Sequence, residues 1–345
     1  MNILILGGTR FLGRALAAGA LARGHRVTLF HRGLTAPGLF PEAERILGDR
    51  ERDLDRLDGR RWDAVVDTCG FVPRLVRAAA ERLAARIGHY TFVSSISVYA
   101  EPLAPHSEES APLAALADPK IESVAGETYG ALKAACERAA EAALPGRVLN
   151  ARAGLLIGPH DYTDRFPYWT RRIAEGGEVL VPEALGRPLQ LIDARDAAEW
   201  MIEMAERCVS GTFNLTGPAE PLTLGEFLAR CRAALGSDAR FVPVAESFLL
   251  ERDVTPWMEL PLWAPDGDGM MSVSIARARA HGLAHRPLEQ TIRDTRLWQE
   301  RERAPVIPHA SAATMPAPVS LAPAKETELL AGWARHASAP GPLAR

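Results

Sequence analysis

Near its start the chain reads Asn2-Ile3-Leu4-Ile5-Leu6, a mainly apolar run too short for a helix and stopped by Gly7-Gly8, which is the pattern of a strand buried on both faces. From Phe11 to Arg23 the apolar positions take helical spacing, Gly24 ends the segment, and Arg26-Val27-Thr28-Leu29-Phe30 returns to a strand pattern. A strand, a glycine turn, a helix and a second strand predict a βαβ unit with parallel strands and a right-handed crossover.

The alternation continues beyond a Gly- and Pro-containing loop. Arg45-Ile46-Leu47 predicts a short strand closed by Gly48-Asp49-Arg50, and Trp62 to Asp67 a strand ended by Thr68-Cys69-Gly70. Pro73 to Arg86 has helical spacing with arginines on a solvated face, and His89 to Ser95 is a strand ending in hydroxyls. Residues 101–123 form a loop rich in Pro, Ala and acids, long enough that it is expected to cover a site. The helical pattern resumes at Glu127. Strands follow at Leu189 to Asp193 and Gly211 to Gly217 around a helix from Ala194 to Arg207. Thr223 to Leu235 starts with the Thr-x-x-Glu spacing of a capping box. A strand and helix pair over 272–281 and a helix from Pro287 to Glu302 complete the regular pattern. A Pro/Ala-rich linker over 304–324 leads to one docked helix, Thr327 to Ala337.

This order predicts an α/β protein: a Rossmann, doubly wound parallel sheet over residues 1–154, rejoined by 188–217. A smaller C-terminal α/β substrate-binding lobe is expected from 155–187 and 218–303, with 304–345 as linker and tail helix. Composition narrows the class of partner. The 345 residues carry a net charge of −3, which offers neither a basic footprint for nucleic acid nor a polybasic tract for membranes. Four cysteines, Cys69, Cys136, Cys208 and Cys231, lie far apart without a CxxC pair, so reduced thiols are expected and no metal site is. With no leader pattern and no long apolar run, a soluble, cytoplasmic protein acting on a small molecule is expected.

The candidate chemistry starts at the glycine turn. Gly7, Thr9, Arg10 and Gly13 lie between a buried strand and a helix, where backbone N–H groups and the helix dipole favour a pyrophosphate. The second strand ends in His31-Arg32 rather than in a carboxylate that would accept from the ribose of NAD. Arg32 and Arg10 would bracket a 2′-phosphate, so NADP is the expected cofactor, with NAD the alternative. The bland readings leave Arg32 in solvent and Arg10 over the adenine. Asp49, beside Arg50, is placed to accept from the adenine amino group, with a solvated turn aspartate the competing reading, and Thr68, Cys69 and Gly70 run beneath the sugars. Ser94 and Ser95 end a strand at the edge where ligands bind in open α/β sheets. Tyr129 and Lys133 lie one helical turn apart, a spacing at which an ammonium favours the phenolate and makes an acid/base device. Tyr99, His160, Phe166 and Trp169 are candidates for a substrate pocket, with core packing the competing reading. Trp257, Leu260, Leu262 and Trp263 make an apolar loop that is either a lid or buried between lobes.

Together GGTRFLG, SSISVY, YGALK and Gly158-Pro159 resemble the extended short-chain dehydrogenase/reductases, the NAD(P)-dependent epimerase/dehydratase family, over roughly residues 1–300. The resemblance implies that Ser95 holds the substrate oxygen, Tyr129 passes the proton, and Lys133 binds the nicotinamide ribose and tunes Tyr129. It also implies that Phe11 and Leu12 contact the pyrophosphate through their backbone, and that a homodimer forms through helices near 72–86 and 127–143. Arg10 replaces the middle glycine of the family's turn, His31 its acid, Ala100 the last glycine of SSxxVYG, and Leu155 the asparagine of RxxNVYGP. Leu155 cannot hydrogen-bond a diphosphate, which directs the expectation to carbonyl reduction or alcohol oxidation on a less polar molecule. The alternatives are an epimerase that keeps its cofactor and a non-catalytic regulator, since GGTRFLG with VTLFHRG also resembles chloroplast stem-loop-binding proteins.

Overall fold

A computed structural model describes residues 1–302 apart from 37 and 266, together with residues 320–338. In chain order the elements are β1 (Asn2–Leu6), α1 (Phe11–Ala22), β2 (Arg26–His31), β3 (Glu44–Leu47), β4 (Ala64–Asp67), α2 (Pro73–Leu83) and β5 (His89–Ser95). There follow α3 (Gly126–Ala143), β6 (Val148–Ala153), β7 (Leu155–Ile157), α4 (Arg165–Ala174), β8 (Glu178–Pro182), β9 (Leu191–Asp193), α5 (Ala194–Glu206) and β10 (Gly211–Leu215). The remainder is α6 (Leu224–Leu235), β11 (Arg240–Val244), α7 (Glu246–Leu250), α8 (Ala276–Ala280), α9 (Leu288–Glu302) and α10 (Pro323–Ser338).

Seven parallel strands form one sheet in the order β10-β6-β5-β4-β1-β2-β3. Its two faces follow from the period of two within β1. Ile3 and Ile5 pack with Leu16, Ala17, Trp200 and Met201 of α1 and α5, whereas Leu4 and Leu6 pack with Val76, Leu83, Cys136 and Ala140 of α2 and α3. The strand order reverses between β1 and β4, so the crevice of this doubly wound sheet opens where Gly7 and Thr68 leave those two strands.

The second core gathers around Phe166, Trp169 and Phe227, between the two-stranded β8/β11 sheet and α4, α6 and α9. Thr223 caps α6 through a reciprocal box with Glu226, as the sequence predicts. α10 closes this core: Leu321 and Leu329 are buried in it, and the Glu326 carboxylate accepts from Arg172 at 2.6 Å and from the Leu180 backbone at 2.9 Å. The helix begins at Pro323, earlier than the expected Thr327, because proline suits a first helical turn. The expected linker lies outside the described residues as far as 319.

Two elements differ from the sequence pattern. β9 pairs only with β7, outside the main sheet, and β10 alone returns to the sheet edge. Over 272–281 there is no strand. The backbone there bonds the 101–123 loop instead, His106 N donating to Ser272 O and Ser274 N to Ser107 O. Among the described residues no helix is long and apolar enough to cross a membrane.

Candidate active site

The crevice is lined first by backbone. Gly7 and Gly8 have φ of +108° and +97°, and a Cβ on Gly13 would stand 2.8 Å from Gly8 N, so the start of α1 lies directly on the turn. Thr9 and Arg10 lead into the helix, and Phe11 and Leu12 begin it. No side chain caps α1 and no acid stands in its first turn, which leaves its N–H groups for an incoming anion. This cradle fits the pyrophosphate of a dinucleotide. On its far side Thr68 Oγ1 donates to Leu6 O at 2.8 Å, and a Cβ on Gly7 would strike that hydroxyl.

Several predicted contacts are committed elsewhere. Arg50 forms a fork with Asp67, at 2.8 and 2.9 Å, beneath the Cys69 thiol, and Tyr90 donates to the same carboxylate at 2.8 Å. Asp49 accepts from the Glu51 backbone and shapes its own turn. His31 Nδ1 accepts from the Gly33 backbone, and Arg32 is exposed at the tip of β2. Arg10 lies over the Tyr162 ring, 4.0 Å from its centroid. Ser94 turns into the protein and donates to Glu137 at 2.5 Å. Tyr99 is buried, donating to Asn214 Oδ1 and accepting from Arg152. Phe166 and Trp169 are core residues with no exposed surface, and Trp169 Nε1 donates to Pro261 O. His160 faces Trp298 and Glu302 of α9. Of the apolar loop, Leu260, Leu262 and Trp263 are buried and only Trp257 keeps an open face.

What remains at the crevice is a compact set. The Tyr129 hydroxyl meets that of Ser95, which itself donates to Ser97 Oγ at 3.1 Å. Gly130 makes this approach possible, since a Cβ there would run into Ser97 O. Lys133 Nζ is buried between the rings of Phe71 and Phe92 and donates to Gly70 O at 2.8 Å and Val93 O at 2.6 Å. The amine therefore serves two carbonyls, and one of its three N–H donors is left over. Burial brings Lys133 down to about 8, and burial raises the Tyr129 phenol above its ordinary value while Ser95 pulls it the other way. The acidified phenol expected from the one-turn spacing is absent here because the ammonium finds carbonyl oxygens first.

Sequence reading overlooked the residues facing this set from the second lobe. The Tyr162 ring meets Phe11 edge-on at 6.4 Å, and Arg165 at the start of α4 stacks over Trp257 at 5.9 Å. Asp161 is buried, its Oδ1 held by Thr163 N and Oγ1 and its Oδ2 without a partner. Burial raises its carboxyl to about 6, so its protonated form favours folding below pH 4 and that contribution is lost as pH rises through 6. His89, brought down to about 4 by burial, does the opposite over the same range. Asp161→Asn removes one of these two slopes. Its stability relative to the parent is expected to improve by about 3 kcal/mol between pH 4 and pH 7 in urea unfolding. A difference constant with pH would refute that assignment.

The fold and this crevice define an α/β protein with a dinucleotide cradle at the switch point of its sheet. Within that class the resemblance read from the sequence holds: residues 62–215 match the NAD dependent epimerase/dehydratase family. The chain is 28% identical over 238 residues to an Arabidopsis thaliana protein named chloroplast stem-loop binding protein of 41 kDa b, and spans 58% of that relative's length and 63% of its own. It is 27% identical over 342 residues to a Kitasatospora kifunensis protein named dTDP-6-deoxy-L-talose 4-dehydrogenase (NAD(P)(+)), covering 88% of this chain and 97% of that one. Among solved structures the fold is shared with a Bordetella bronchiseptica enzyme in complex with NAD+, at TM-score 0.68 and 15% identity over 88% of this chain and 99% of the other. It is shared also with the Thermotoga maritima UDP-glucose 4-epimerase with UDP-glucose, at TM-score 0.66 and 16% identity over 88% and 100%.

Proposed function

We propose that the chain is an NADP-dependent oxidoreductase that reduces a ketone or aldehyde, or oxidises the corresponding alcohol, on a small and mostly apolar molecule. The observation that carries this reading is the Tyr129 hydroxyl beside Ser95 at the crevice, above a Lys133 amine with one donor left over. A bound nicotinamide supplies the hydride or accepts it. Ser95 donates to the substrate oxygen, and Tyr129 gives that oxygen its proton in reduction or takes it in oxidation. Lys133 directs its remaining N–H toward the nicotinamide ribose. The backbone from Gly7 to Gly13 holds the pyrophosphate, with Thr68 and Gly70 beneath the sugars.

The preference for NADP rests on Arg32, because Arg10 is engaged with Tyr162. Comparing KM for the two cofactors tests it. Arg32→Asp is expected to shift the ratio of KM values toward NAD by at least about tenfold, the worth of one charge-assisted bond. A parent protein that prefers NAD by a wide margin would overturn the preference.

A second reading, an epimerase or dehydratase that retains its cofactor, draws support from Tyr162, which crosses from the second lobe to the glycine turn at Arg10 and Phe11. Nucleotide that co-purifies, with turnover needing none added, would select it. RNA binding, which the name of the Arabidopsis relative brings in, is separated from both by a filter assay.

A further inference from the structure

Arg165 stands out among the cations of the second lobe. Arg171 on the same helix forms a fork with Asp164, at 2.9 and 2.7 Å, and Arg172 is held by Glu326 at 2.6 Å. Arg165 has no ion pair with a carboxylate among the described residues, and its Nε is buried without a hydrogen-bond partner. The acids beside it form no ion pair with it, and Asp161 feels its charge only through space. Asp164 serves Arg171 and Ser320, and Asp161 spends its Oδ1 on Thr163. A half-buried guanidinium without a contacting carboxylate is costly to retain in a fold, and it is retained where a ligand completes it. Arg165 follows by three residues Tyr162, whose ring meets Arg10 and Phe11 at the glycine turn, and its charge acts through space on the phenols of both Tyr162 and Tyr129. The centre of the Trp257 ring lies 5.9 Å from the Arg165 guanidinium carbon, within cation–π reach.

We propose that Arg165 is a specificity-determining residue that takes one carboxylate of the substrate close to the carbon where the hydride is exchanged. The reading rests on the oxidoreductase assignment above and narrows its substrate to small hydroxy or oxo acids with an apolar chain. The cations on that side match a single negative charge: Arg171 and Arg172 are paired, and the other cation near Tyr162, Arg10, belongs to the glycine turn. A planar carboxylate matches the fork with two parallel hydrogen bonds, whereas a diphosphate would bring a second charge that no further unpaired arginine of α4 meets.

The test is calorimetric titration of the NADP-saturated protein with 2-, 3- and 4-hydroxybutyrate, with the primary amide of each, and with UDP. At least one hydroxy acid is expected to bind about tenfold or more tightly than its own amide, the size of one lost charged contact. Arg165→Gln is expected to erase that preference without lowering the thermal unfolding temperature, and Arg165→Lys to restore part of it. Equal binding of acid and amide, no binding of any acid, or a preference that survives Arg165→Gln would overturn the proposal. Arg165-dependent binding of UDP tighter than that of every hydroxy acid would overturn it as well, by assigning the site to a diphosphate. The two readings fail separately. If the dinucleotide itself does not bind, the oxidoreductase assignment falls; if it binds and no Arg165-dependent preference for a carboxylate follows, only the present inference does.

Discussion

Tyr129→Phe is expected to lower kcat by a factor of about 10² to 10⁴ while leaving the dissociation constant of the dinucleotide within about twofold. The substitution removes one oxygen and keeps the ring that packs at the start of α3, so the cradle between Gly7 and Gly13 is untouched. The proton has no other carrier at that point: Ser95 is an alcohol that orients the substrate oxygen without ionising, and the Lys133 amine is bound to Gly70 O and Val93 O. Because burial holds the phenol above its ordinary value, Tyr129 is protonated at neutral pH and poised as an acid, the state that reduction requires. Oxidation runs through the phenolate, so its rate is expected to rise with pH across the range where reduction is flat or falling. Steady-state kinetics in both directions, paired with calorimetric titration of the cofactor, checks all three statements. Full activity in the phenylalanine variant would remove the assignment.

The βαβ start and the sheet were legible because their signals are local. An apolar run bounded by Gly7-Gly8, a helix closed by Gly24 and a second apolar run leave little choice of connection, and hydroxyls at the end of β5 announce the ligand edge. Tyr129 and Lys133 were legible for the same reason, since one helical turn fixes which face they share. Polar partnerships across the fold were not legible. Arg50 meets Asp67 across 17 residues and Tyr99 meets Asn214 across 115, and nothing in either neighbourhood distinguishes a buried fork from a ligand contact. Arg165 was hidden differently. It sits in a stretch of aromatics that drew attention to Phe166 and Trp169, and its importance comes from Asp164 being taken by Arg171, a fact of packing. β9 reads as a sheet strand by composition, but at three residues its pairing is set by whichever neighbour arrives, and β7 does.

Glu137 is expected to be the most expensive single residue to neutralise in the Rossmann half. It lies one turn beyond Lys133 on α3, is 3% exposed, and its carboxylate accepts from Arg152 Nε at 2.9 Å and Nη2 at 2.8 Å as well as from Ser94. Arg152 carries the network on through Tyr99 and the Glu109 carbonyl, and Tyr99 passes it to Asn214, which bonds Ser274 O. Seven segments are thus linked through one buried pair. Burial works against the Arg152 charge, but Glu137 outweighs it and holds the guanidinium above its ordinary value, so removing the carboxylate strands a cation in the core. Glu137→Leu is expected to cost about 3–5 kcal/mol in urea unfolding, and Glu137→Leu with Arg152→Leu less than the sum of the singles, by about 1–3 kcal/mol. A single variant that loses under about 1 kcal/mol would mean that water reaches the pair, contrary to its burial. The same network fixes the face of α3 that presents Tyr129 and Lys133, so the double variant, which restores packing without charge, is expected to recover stability before it recovers turnover.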